Sequence, residues 1–381
     1  MKKNLLLTPG PTHIPVEICQ ALGKPIIHHR TPQFQEALKE VIEGLQYVFQ
    51  TKNDIYILAS SGTGGMEAAV CNFLSAGDKV ITVEGGKFGE RWTELCKAYG
   101  LIPEVITIEW GKAVKAEQIA ELLQKNNDVK AVFVTLCETS TGVTTDIKAI
   151  ADVVKETDAI LIVDAVSGLG VVDMQTDNWA VDVAVSASHK GFMLPPGVAF
   201  VAVNQKAAAL MEKATLPRYY FDLRKSKKVF SKPDTPFTPA IGIIVALNES
   251  LRIIKEEGLE KRFAHFARLA EATRKAAKAL GLSLLADEAC ISNALTAIKL
   301  PEGIDGGKLV KLMRDTYGIS VAGGQAQLKG KIIRIAHMGC IDEYDILTGI
   351  SCLEKVLKKL GHSFKLGVGV ATAQEFFNGE E

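Results

Sequence analysis

Hydrophobic positions change their period along the chain. From 34 to 49 they fall at Leu38, Val41, Ile42, Leu45 and Val48, the spacing that lays one apolar stripe along a helix. A shorter helix is expected before it, at 15–21. From residue 54 the pattern alternates. Runs at 55–58, 79–83, 104–108, 131–136, 159–163, 181–185 and 198–203 predict strands, and helix-spaced segments at 66–74, 88–99, 116–124 and 147–155 lie between the earlier ones. Strands this apolar, alternating with helices, predict a mainly parallel sheet covered on both faces.

The pattern breaks at 217–239. Tyr219 and Tyr220 are followed by the basic run Arg224-Lys-Ser-Lys-Lys228, then by Pro233, Pro236 and Pro239, which reads as a long functional loop or a subunit-contact segment. Helical spacing resumes over 241–280 with Gly258 as a break. Beyond it come strands at 294–300 and 332–336, helices at 307–317 and 344–360, and a last short helix within 364–377. The expected organisation is an N-terminal arm (1–15), a large α/β domain (16–257) and a smaller C-terminal α+β domain (258–381).

Composition narrows the class. The chain has 381 residues, 47% of them hydrophobic, which suffices for a sizeable core. Lys+Arg and Asp+Glu number 44 each, so no net field draws in nucleic acid, and the basic run reads as a solvated loop. No segment approaches the length of a membrane span, and the apolar run Leu5–Leu7 is too short for a signal peptide core. Seven scattered cysteines without a Cys-x-x-Cys pair suit reduced thiols, and the cytoplasm is the expected location. His28 and His29 have no further ligand at metal spacing, so no metal is expected.

The chemistry gathers where strands end. Lys190 stands just past the strand at 181–185, ahead of Gly191 and Leu194-Pro-Pro-Gly197, which hold the backbone in a fixed bend. A lysine desolvated there loses its proton and attacks a carbonyl as a free amine. Asp164 ends the preceding strand, and an acid paired with such a lysine is what a pyridoxal phosphate site needs. Ser61-Gly-Thr-Gly-Gly65, ahead of a helix, suits an anion, because glycines admit close backbone approach and free amides point outward. With Glu84 ending the next strand it also imitates a dinucleotide fingerprint, but Glu67 occupies the third glycine's place. Hydroxyls of Glu138-Thr-Ser-Thr-Gly142 could meet a ring oxygen, and Phe88 could stack on a ring. Arg334, inside the apolar strand 332–336, needs an anion: its planar fork suits a substrate carboxylate, and a structural ion pair would satisfy it equally.

Leu6-Leu-Thr-Pro-Gly-Pro11, His29-Arg-Thr-Pro-Gln-Phe34, Ser61-Gly-Thr-Gly-Gly-Met-Glu67, Glu138-Thr-Ser-Thr-Gly142, Val163-Asp-Ala-Val-Ser167, Ser188-His-Lys190 and Arg334-Ile-Ala-His-Met-Gly-Cys340 occur in this order. The ordered set resembles the class V, fold type I pyridoxal-phosphate aminotransferases, specifically their serine/alanine–glyoxylate group. The resemblance implies a homodimer using pyridoxal 5'-phosphate. It implies Lys190 as the lysine that bonds the cofactor aldehyde and moves the substrate proton, and Asp164 as partner of the pyridine nitrogen. Val166 and Phe88 would face the two sides of the ring, and Thr139 its phenolic oxygen. Ser61, Gly62, Thr63 and His189 would hold the phosphate, with Thr238 reaching it from the neighbouring subunit. Arg334, with Gly10 beside it, would bind the substrate. Phe88 stands where many relatives carry tryptophan, and His189 where glutamine is frequent.

The expected reaction moves the amino group of alanine or serine to glyoxylate or pyruvate by a ping-pong route. Alternatives from the same family are ureidoglycine–glyoxylate or aminoethylphosphonate transamination and a lyase or desulfurase. Cys340, in an apolar strand–turn, suits a desulfurase poorly. A nicotinamide-dependent oxidoreductase and a non-catalytic accessory subunit are the alternatives of another class.

Overall fold

The computed structural model describes residues 4–230 and 232–379. Seven strands form one sheet in the order Asp54–Leu58, Ala199–Val203, Val183–Ala187, Ile160–Asp164, Ala131–Thr135, Lys79–Glu84 and Ile102–Thr107. Only Ala199–Val203 runs against the others, pairing antiparallel with both neighbours. Four adjacent strands in the sheet's middle, from Ala199–Val203 to Ala131–Thr135, are buried at every position. Helices cover both faces, which is why these strands read as unbroken apolar runs. Each buried Val, Leu or Ile contributes about 1.5–3 kcal/mol.

The helix expected at 34–49 runs Pro32–Phe49. Thr31 caps it, its hydroxyl accepting from the Phe34 amide at 3.4 Å, and Pro32 occupies the first turn, where its missing N–H costs nothing. Its buried stripe includes Leu38, Val41, Leu45 and Val48, and it packs on Ile241–Glu257. That helix ends at Gly258, whose φ of 81° turns the chain into Leu259–Ala279.

A second sheet has the order Leu5–Leu7, Ile319–Gly323, Ile332–Ala336, Leu295–Lys299 and Ser283–Leu284. The arm strand Leu5–Leu7 pairs parallel with Ile319–Val321, so the chain's start is stitched to its C-terminal part. The expected loop at 217–239 contains a helix, Leu223–Phe230. Leu223 is buried and Phe230 sets its ring edge-on to Tyr56 at 5.8 Å, so the basic residues between them ride on two apolar anchors. The helix Gln205–Met211 was also not expected. Among the described residues no helix is long and apolar enough to cross a membrane.

Candidate active site

Asp164 and Lys190 both stand at the carboxyl end of the large sheet, where open parallel sheets bind ligands. Lys190 is 7% exposed, and its ammonium donates to the Pro9 carbonyl. The arm crosses directly over it. A Cβ on Gly10 would lie 2.5 Å from Lys190 Nζ, so only glycine lets the backbone pass there. Thr12 ties the crossing down, its hydroxyl donating to the Lys190 carbonyl (3.0 Å) and its amide to the His189 carbonyl (3.3 Å).

Burial pushes the Lys190 amine down to about 8, against the opposing pull of the Asp164 carboxylate. Burial likewise raises Asp164 to about 6, although Val166 N–H donates to its Oδ1 at 2.9 Å. Buried acid and buried amine thus sense each other's charge. The amine's pH dependence follows from this shift. Below pH 8 the ammonium has no lone pair, so reductive trapping of an aldehyde on Lys190 is expected to slow about tenfold per pH unit. Above 8 the rate levels off, whereas an ordinary lysine's would climb to about 10.4. Mass spectrometry of the trapped peptide across pH 6–11 checks this.

Val166 packs against Gly62, where a Cβ would come within 2.9 Å of its Cγ2. Gly62 opens the helix Gly62–Cys71, four residues earlier than expected. No side chain caps this helix, and the amides of Gly62 and Thr63 have no partner among the described residues. Ser61 is exposed, and its carbonyl accepts from Gly64 and Gly65. His189 Nδ1 is buried without a partner, and burial pushes this imidazole down to about 4, so it stands neutral.

Arg334, 5% exposed, projects from Ile332–Ala336. Its Nε and Nη2 donate to the Gly323 carbonyl (2.9 and 2.7 Å) and its Nη1 to the Thr139 carbonyl (2.7 Å). A guanidinium has five N–H groups, so two remain, one on each terminal nitrogen. Both are free to donate to a carboxylate. Among the described residues no carboxylate pairs with it, and burial lowers it to about 10 while the Glu138 charge opposes.

Glu138 and Arg262 were not singled out from the sequence. Glu138 is buried and accepts four donors: Phe88 N (2.9 Å), Gly89 N (3.0 Å), Ser140 N (3.0 Å) and Ser140 Oγ (2.6 Å). It locks the start of the helix Lys87–Ala98, and so Phe88, to the segment that carries Thr139. Burial raises its pKa. Arg262, also buried, donates to the carbonyls of Gly170 (2.9 Å) and Gly191 (2.8 Å), clamping the bend behind Lys190. Neither is marked locally, because most of their partners lie 49 to 92 positions away; the near ones are Ser140 for Glu138 and Glu257 for Arg262 (2.6 Å).

Thr238 is not brought to this chamber. It is exposed, in a groove lined by Ile57, Tyr220 and Phe237. Cys340 is exposed too, in a separate cleft of about 480 Å³ beside Arg262 and His265.

A seven-stranded, mainly parallel sheet with a buried lysine–aspartate pair at its carboxyl edge is the large domain of a fold type I pyridoxal-phosphate enzyme. The chain belongs to the class V aminotransferases: the family model "Aminotransferase class-V" matches residues 9–339. It is a pyridoxal-phosphate-dependent transaminase. It is 40% identical to the L-aspartate–glyoxylate aminotransferase of Paracoccus denitrificans, over 98% of this chain and 96% of that protein. It is 45% identical to a protein named as the small subunit of a soluble hydrogenase in a Synechococcus strain, over 97% of both. Among solved structures, the ureidoglycine–glyoxylate aminotransferase of Bacillus subtilis superposes with a TM-score of 0.96 at 29% identity, covering 99% of each chain. The polar groups here fit pyridoxal phosphate: a buried amine for its aldehyde, a buried acid for its ring nitrogen, and uncapped amides with an unpartnered imidazole for its phosphate.

Proposed function

We propose that this enzyme transfers the amino group of alanine or serine to glyoxylate, with pyruvate as a second acceptor. The observation that carries the reading is the buried Arg334, whose charge is felt at Lys190 and whose guanidinium has two N–H groups to spare. Glyoxylate stands in the names of two similar proteins, the Paracoccus denitrificans enzyme and the Bacillus subtilis structure, which supports it as acceptor. Pyridoxal phosphate, once bound, supplies a protonated ring that takes up electron density from the substrate Cα.

The residues do the rest. Arg334 binds the substrate carboxylate through these N–H groups and so fixes the Cα beside Lys190. Lys190, freed as an amine, would take the proton from the substrate Cα and deliver it to the cofactor's C4′, two bonds away, a general base whose lowered pKa suits neutral pH. Asp164 keeps the ring nitrogen protonated. Phe88 and Val166 hold the ring faces, Thr139 bonds the ring oxygen, and Ser61, Gly62, Thr63 and His189 hold the phosphate. Gly10 lets the arm close over the substrate and exclude water. In this reading the chain acts as a cytoplasmic homodimer, Thr238 reaching the partner's phosphate, with the lobes dividing at Gly258.

A panel of donors and acceptors tests it. Alanine or serine with glyoxylate should give the highest kcat/KM and parallel double-reciprocal lines. Aspartate as the preferred donor would replace the small-amino-acid reading with that of the Paracoccus relative. Folded protein that binds the cofactor but turns over no pair would favour an accessory role.

A further inference from the structure

Arg334 has an evident use for its charge; Arg91 does not. Arg91 lies one turn into the helix Lys87–Ala98, half-buried, with its guanidinium 4.8 Å over the Phe88 ring. Its Nη1 donates to Thr63 Oγ1 at 3.1 Å. Among the described residues no carboxylate pairs with it. Its charge is nonetheless felt at Asp164 and at Lys190, in both cases after burial.

A half-buried guanidinium with no carboxylate to answer its charge suits a place where an anion binds. The hydroxyl of Thr63 sharpens this. Because its oxygen accepts from Arg91, its own proton is turned toward some other acceptor. The uncapped amides of Gly62 and Thr63 lie at the same spot, adding the positive end of a helix.

We propose that Arg91 makes this site select the phosphorylated cofactor: it backs the cradle through Thr63 and supplies the charge that a phosphate dianion neutralises. The inference rests on the reading of residues 61–63 as the phosphate cradle. It separates Arg91 from a mere brace for Phe88, since a brace would serve pyridoxal and pyridoxal phosphate alike.

The test compares both ligands on dialysed apoprotein, by fluorescence titration, in wild type, Arg91→Gln and Arg91→Lys. A charge-assisted contact of this kind changes affinity by about 10- to 100-fold. Arg91→Gln is therefore expected to weaken pyridoxal phosphate about 30-fold and pyridoxal less than about 3-fold. Arg91→Lys, which keeps the charge but loses the fork, should fall between. Inorganic phosphate, a competitor of pyridoxal phosphate in the wild type, should compete less in Arg91→Gln. Equal weakening of both ligands overturns the proposal, whether it arises from packing or from a misfolded variant. An unchanged preference with activity lost only toward aspartate also overturns it, placing the cation on a substrate side chain instead. Wild type that binds pyridoxal phosphate no better than pyridoxal would sink the cradle reading as well.

Discussion

Replacing Lys190 by alanine is expected to lower transamination by roughly 10⁴-fold or more, the combined loss of a covalent anchor and a general base. The change should not unfold the protein. Among the described residues the side chain's one hydrogen-bond partner is the Pro9 carbonyl, and the Thr12 bond is to the Lys190 backbone, which alanine keeps. The arm therefore still closes over the site. Two measurements check this together. Single-turnover mixing with alanine shows the lost proton transfer, and borohydride reduction followed by digestion shows whether the cofactor is still fixed to the peptide around 190. A fall of less than tenfold, or reduced cofactor on another lysine, would mean the base lies elsewhere.

Arg334→Ala is the second large effect. It removes the guanidinium and takes a donor from two carbonyls, that of the half-buried Gly323 and that of the buried Thr139. The kcat/KM for alanine should fall about 10²- to 10³-fold, the scale of a desolvated bidentate charge contact. Cofactor affinity should hardly change, since Arg334 has no part in the proposed cradle. Ethylamine, which lacks the carboxylate, supplies the control. Its slow reaction should be little altered, so that the variant no longer distinguishes the two amines. Equal losses with both amines would show Arg334 to be a structural pin.

These effects fall on residues that single strands expose to view. Asp164 and Lys190 follow apolar runs, and a polar group at such a boundary is visible without a structure because a parallel sheet ends there. Arg334 was visible for the opposite reason, a charge within an otherwise apolar strand. The cradle was harder. Its glycines read as a segment ahead of a helix at 66–74, yet Gly62 begins the helix, and packing against Val166 and Val185 leaves no room for a Cβ at Gly62 or Gly65. The basic run reads as loop because its charges hide a short helix whose apolar anchors, Leu223 and Phe230, stand at its two ends.

The sequence by itself determined the alternation that makes a parallel sheet, the strand ends that carry an acid and an amine, and the family to which the ordered motifs belong. Only the tertiary structure decided that the arm crosses over Lys190, that Glu138 joins Phe88 to the Thr139 segment, and that Arg91 stands behind Thr63 with no counter-ion among the described residues. The physical reason is range. Periodicity reports which face of an element is buried, over a few residues, whereas hydrogen bonds and uncompensated charge depend on groups the chain brings together from tens to hundreds of positions apart.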